Sequence, residues 1–368
     1  MDAQTLLAGP RGRRLCLELA LGWAHEPLHS DGEFSLAVFA AAYDLDPGRG
    51  TSRVIISFSE GGDGPERPPS ASPADVATAW DALPLGTVDG ERLLAAVVGS
   101  VDMARYWQSP DGEDVLLARP ELADALIRTA DAVIPSDASR WWDSPIDRDG
   151  QWVIEFDADS VDLPRPPARV DAEQVLSEWA ARVREQEALA EALGARDPRR
   201  AASGAWWSTP PLPLLTSTRA HGSDGPLGLH WVEDGAGWDG AAARKLPMSP
   251  RLRVLEIDGA QAWIDLCRAY PLEVTGLRRG TWQLLTGIDS RWVIPDWSAV
   301  SQDYDGVHLT VLGYLSAATR ALAVGDGVRS IIAGWAPDET RWLVDVAADG
   351  ATVHRWERDE VDRWRPIP

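Results

Sequence analysis

Two periodicities divide the chain. In the N-terminal half, apolar side chains recur every third or fourth residue. In the C-terminal half they alternate or form short unbroken runs. ERLLAAVVGSVDMARYWQ places Leu93, Leu94, Val97, Val98 and Val101 on one helical face. PELADALIRTADAVI repeats this, with Pro120 near the first turn and Leu122, Leu126, Ala130 and Val133 on one stripe. Pro73 and Asp75 mark the start of this helical region, 74–134. The clearest helix spans 171–194, capped by Asp171, with Val175, Trp179, Val183, Leu189 and Leu193 along one face. Residues 1–60 read as a helix and a mixed segment. There FSLAVFAAAYDL and SRVIISFSE are two strands, or a helix and a strand.

Strands are predicted at QWVIEFDAD, LGLHWVED, RVLEID, RWVIPDW, DGVHLTVLGYL and RWLVDV, with a helix at GAQAWIDLCRAY and a terminal strand or tail at TVHRWERDEVDRWRPIP. Loops rich in Pro, Gly and Ser interrupt the pattern at GGDGPERPPSASP, SVDLPRPPARVD and GARDPRRAASG. The expected fold class is mixed α+β. A helix-rich N-terminal domain covers 1–160, a linker and long amphipathic helix cover 161–203, and an α+β domain with a central mixed or antiparallel sheet covers 204–368. RWWDSP and AWWSTP share a WW-polar-polar-Pro pattern, which reads either as a duplicated unit or as chance in a tryptophan-rich chain.

Composition narrows the function classes. A formal charge of −22 over 368 residues argues against general nucleic-acid binding, which rests on cationic side chains. One Lys, Lys245, stands against 34 Arg, and Asn is absent, the bias of a GC-rich genome. That bias accounts for part of the 19 Trp. No apolar run reaches the length of a membrane helix. Glu18 interrupts the apolar stretch after Arg11–Arg14, so the N-terminus reads as the first helix of a cytoplasmic protein rather than a secretory leader. Cys16 and Cys267 read as buried thiols, and no zinc-ligand spacing occurs, so no metal is expected.

Three stretches carry candidate chemistry. Residues 208–240 combine Thr216, Ser217, Thr218, Arg219, two histidines and the acidic pair Glu233 and Asp234, where Arg219 suits a phosphate or carboxylate; the bland reading is a surface loop. In WVIPDWSAVSQDYDGVHLTVLGYL, Asp296 starts a short helix. Alternation then sets Val307, Leu309 and Val311 against His308 and Thr310. His308 is thus expected to face a cleft or solvent beside Tyr304 and Asp305, as a general acid or base; the position suits a structural histidine equally. In GWAPDETRWLVDV, Asp338 and Glu339 occupy a turn between Trp335 and Trp342.

These C-terminal motifs resemble a recurring pattern of acidic, tryptophan-rich actinobacterial proteins, which implies lineage and no activity. A weaker resemblance is to ADP-ribosyltransferase-like domains. It implies an NAD-dependent transferase in which Arg219, His230 and Trp231 bind cofactor and Glu339, His308 and Tyr304 are catalytic, with Glu339 stabilising a ribosyl cation. The motif departs from that family: TST directly precedes Arg219, and only DET stands where a late E-x-E belongs. Two other readings stay open. One is a non-catalytic binding or regulatory protein, an immunity-type acidic partner of a basic protein. The other is a carbohydrate-binding or glycoside-processing protein with paired carboxylates in a Trp-lined groove. The partner is accordingly a small molecule or a protein, with no membrane role; the sequence leaves the oligomeric state open.

Overall fold

The computed structural model describes residues 1–25, 32–49, 70–157, 170–192, 206–222, 225–233, 237–346, 351–360 and 363–367. SRVIISFSE, most of the three Pro/Gly-rich loops, Leu193 and Asp234 lie outside them. The chain divides into two compact units, Met1–Ser100 with Gln108–Arg140, and Val101–Trp107 with Trp141–Pro368. The division falls at Arg140–Trp141, not within 161–203.

The first unit is helical: α1 (Ala3–Leu6), α2 (Pro10–Ala24), α3 (Glu33–Leu45), α4 (Pro73–Ala82), α5 (Gly90–Asp102), α6 (Gly112–Leu117) and α7 (Ala123–Val133). Local chemistry sets the starts. Pro10 opens α2, and Ser72 with Asp75 forms a reciprocal capping box ahead of α4. FSLAVFAAAYDL is one helix, α3: its alanines favour helix, and Phe34, Val38 and Ala41 bury a single face. Arg11 and Arg14 in α2 are buried in ion pairs, Arg11 with Asp114 and Arg14 with Glu18, Asp111 and Glu113. Burial alone would favour discharge of Arg14. The charges of Glu113, Glu18 and Asp111 outweigh it and hold the guanidinium above its usual range.

The second unit is built on strands β1 (Gln151–Phe156), β2 (Thr216–Arg219), β3 (Gly240–Lys245), β4 (Val254–Ile257), β5 (Pro271–Glu273), β6 (Arg291–Pro295), β7 (Gly306–Leu309), β8 (Leu322–Gly325), β9 (Val328–Ser330), β10 (Glu339–Trp342), β11 (Val353–Arg358) and β12 (Trp364–Ile367). Its helices are α8 (Ala172–Ala192), α9 (Ala260–Ala269), α10 (Thr275–Thr286), α11 (Trp297–Val300) and α12 (Val311–Ala317). An eight-stranded sheet runs β12-β11-β3-β1-β2-β10-β7-β4, and a four-stranded sheet runs β5-β6-β9-β8. Both are mixed, with β4–β7 and β6–β9 parallel. The α+β class therefore stands. Strand β1, expected in the N-terminal domain, sits between β2 and β3.

Each face of the large sheet buries its own core. Val153 and Trp342 meet Ile146 and Leu246 on one side, while Ile154 and Phe156 meet Ala241, Ala243, Trp356 and Trp364 on the other. Helix α8 is also two-faced, and its buried line keeps Trp179 and Val183 of the predicted stripe but not Val175 or Leu189. Its buried line is Ala172, Leu176, Trp179, Val183 and Glu187, and Leu189 is 58% exposed. Glu187 is inside because its carboxylate accepts the Gly276 and Leu277 amides at the start of α10, 2.5 and 3.0 Å away. LGLHWVED forms a 3-10 turn at Leu227–Leu229 rather than a strand.

DGVHLTVLGYL changes structure midway. β7 ends at Leu309, and the Thr310 hydroxyl accepts the Gly313 amide at 2.9 Å to start α12. A Cβ on Gly313 would lie 2.2 Å from the Ile257 carbonyl. Gly313→Ala is therefore expected to cost about 1–3 kcal/mol. Gly325→Ala, where nothing lies within 4 Å, serves as control. Urea denaturation midpoints measure both; an equal effect would contradict the close approach.

Candidate functional site

Strands β4, β7, β10 and β2 are neighbours, and their register is fixed. Glu256 pairs with His308, His308 with Thr340, and Thr340 with Ser217. Directly paired residues share a sheet face. Arg219, two residues beyond Ser217, therefore shares it as well. Asp338 precedes β10 with φ of 57°, a left-handed conformation that Asp tolerates better than most residues. This turn drops its carboxylate onto the same face.

The result is a chain of charge across four strands. His308 Nδ1 lies 2.5 Å from Glu256 and Nε2 lies 3.3 Å from Asp338. Asp338 also accepts the Arg219 amide at 3.0 Å, the Arg219 Nε at 2.6 Å and the Thr218 hydroxyl at 3.5 Å. The guanidinium covers the Trp141 ring at 4.5 Å and donates to the Pro145 carbonyl at 3.0 Å. Trp141 also stacks near-parallel with buried Trp231 at 6.1 Å. Glu256 further accepts the Ile146 amide at 3.1 Å. His308 is 0% exposed and Asp338 1%. The expectation that His308 faces a cleft or solvent is thus corrected: β7 is buried on both faces, so its alternation separates two interiors. Desolvation is the largest influence on His308 and pulls its pKa down, yet the hydrogen bonds and charges of Asp338 and Glu256 together prevail and raise it. An imidazolium donating from both nitrogens satisfies both carboxylates.

The expected residues are only partly brought together. Arg219, His308 and Trp231 belong to this assembly or touch it through Trp141. Glu339 does not: it pairs with Thr218 and so projects from the opposite face to Arg219, where it accepts the Ala336 amide and pairs with Arg341. The convergence of Glu339 with Arg219 in one cleft is absent from this arrangement. His230 ends the 3-10 turn, and Tyr304 is half-buried in the loop before β7. Asp305 pairs with Arg253, Asp296 caps α11 and pairs with Arg184, and Glu233 accepts the Tyr106 hydroxyl at 2.5 Å. Thr310 is spent as a helix cap. Glu256 escaped the sequence reading, although a carboxylate within the apolar run RVLEID was its signal.

The described residues contain no group of side chains suited to a metal. Both cysteines are buried and free, and burial pushes each thiol up to about 12. No helix among the described residues is long and apolar enough to cross a membrane. No protein-family model, curated protein or solved structure matches the chain.

The histidine makes stability depend on pH with a definite sign. Because its folded pKa lies above the unfolded value, its stabilisation is complete below about 6.5 and declines as pH rises through the folded pKa. His308→Gln is expected to cost about 3–5 kcal/mol at pH 6, since it removes the buried cation that links Asp338 to Glu256. The variant also loses the extra alkaline decline of the wild type. Thermal unfolding from pH 6 to 9 reads both, and parallel pH profiles would exclude the imidazolium.

Proposed function

We propose that this chain is a non-catalytic binding protein with a basic protein partner. The observation that carries this reading is the closure of the His308 assembly. A general acid or base must reach the proton it moves. His308 is fully buried with both nitrogens committed to carboxylates of the same chain. The imidazole also fills the space between Glu256 and Asp338, where a glycosidase carboxylate pair would hold water or sugar. The −22 formal charge favours cationic partners and fast, salt-sensitive association. Tryptophan abundance adds no support, because nine Trp are among the largest fully buried side chains.

Two measurements on the purified full chain separate this reading from an NAD-dependent transferase. Incubation with NAD is expected to release no nicotinamide, alone or with cell lysate. Release that disappears in Glu339→Gln would overturn the binding reading and restore the transferase. Affinity capture is expected to retain a basic protein in fixed stoichiometry, its affinity falling steeply between 50 and 500 mM salt, roughly one to two Debye-length halvings. Binding indifferent to salt would contradict the electrostatic basis.

A further inference from the structure

Two buried guanidinium groups, one in α10 and one on the face of β10 opposite Thr340, have N–H donors that no group among the described residues accepts. Arg278, in the first turn of α10, is 2% exposed. Its Nε and Nη2 donate to the Trp207 carbonyl at 3.1 and 2.9 Å, while Nη1 has no acceptor. Arg341 in β10 is 8% exposed; it donates to the Gly334 carbonyl at 3.3 Å and pairs with Glu339, while its Nε has no acceptor. The two carbonyls belong to chain segments in direct contact. A Cβ on Gly334 would fall 2.9 Å from Trp207 Cβ and 3.2 Å from the Trp206 ring. Each guanidinium also covers an indole, Arg278 over Trp282 at 5.6 Å and Arg341 over Trp335 at 5.8 Å.

Charge at this crossing is not balanced. Glu339 answers Arg341, but no carboxylate contacts Arg278 among the described residues. Glu187, whose charge reaches it, is already committed to the amides of Gly276 and Leu277. Burial accordingly pushes Arg278 down to about 10. A desolvated guanidinium with a spare donor is stabilised by a charged acceptor more than by a neutral one. We propose that the Trp207–Gly334 crossing is an oxyanion-binding site, in which Arg278 Nη1 and Arg341 Nε donate to a carboxylate or phosphate group. Half-buried Trp206 and Trp207 border it. Guanidinium forks match such planar or tetrahedral anions in geometry as well as charge.

Inorganic phosphate and acetate are the probes. Each is titrated into the full chain at fixed pH and ionic strength, with intrinsic tryptophan fluorescence and calorimetry as readouts. At least one anion is expected to give a saturable response. Arg278→Met is expected to weaken that response roughly 10- to 100-fold, the loss of one charged hydrogen bond. If that variant does not fold, Arg341→Gln replaces it, with the same direction expected. A response that is linear in salt and equal in variant and wild type, a general solvent effect, overturns the site. So does the absence of any saturable response to either anion. These outcomes are independent of whether a basic protein partner is captured.

Discussion

The carboxylate of Asp338 is the point on which the second unit turns. It is almost fully buried and joins three strands, accepting from the backbone and side chain of Arg219 in β2 and meeting His308 of β7, while its own residue leads into β10. Glu256 extends the chain to β4. When His308 is protonated, two carboxylates face two cations, and the cluster is neutral in sum, with Asp338 and His308 buried and Glu256 partly exposed. Such clusters seldom add net stability over a well-packed apolar core, yet removing one member leaves a charge without a partner. Their consequence is specificity of register. A one-residue slip of β10 against β7 or β2 would turn Thr340 away and separate Asp338 from both cations.

The rest of the sheet is arranged around that constraint. On the same face, Val153, Trp342 and Leu246 form an apolar core beside the charges, and the Trp342 indole donates to Ser217, which in turn donates to Gln151. On the opposite face, Trp263, Trp297 and Trp335 meet edge to face or tilted. Their N–H groups are answered by Ser330, the Ser208 carbonyl and the Glu339 carbonyl. A buried indole usually finds an acceptor for its N–H, as these three do, whereas those of Trp292, Trp356 and Trp364 find none among the described residues. The backbone carbonyls of irregular segments supply several of the acceptors.

The proposed binding role draws on what this closure leaves available. Polar groups of the candidate stretches serve structure: His308 meets two carboxylates, Glu339 pairs with Arg341, Thr310 and Asp296 start helices, and Arg219 meets Asp338 and Trp141. The binding proposal rests on the acidic charge, and the anion-site proposal on the unmet donors of Arg278 and Arg341.

The sequence by itself determined much of the local structure. The three-and-four spacing placed α5 and α7, Asp171 placed the start of α8, and short apolar runs placed β1, β4 and β6, because these signals depend on neighbours a few residues away. It also determined the mixed α+β class. Tertiary structure alone decided the rest. Between the strand and helix that FSLAVFAAAYDL left open, the fold took the helix, and DGVHLTVLGYL split into strand and helix, since apolar runs without polar contrast do not reveal which partner they bury against. The face occupied by His308 was likewise undetermined: alternation separates two sides of a strand, and only the layers packed on them decide whether either side meets water. Glu256, His308, Asp338 and Arg219 are scattered over more than a hundred residues of sequence, and only strand order and register bring them into one line.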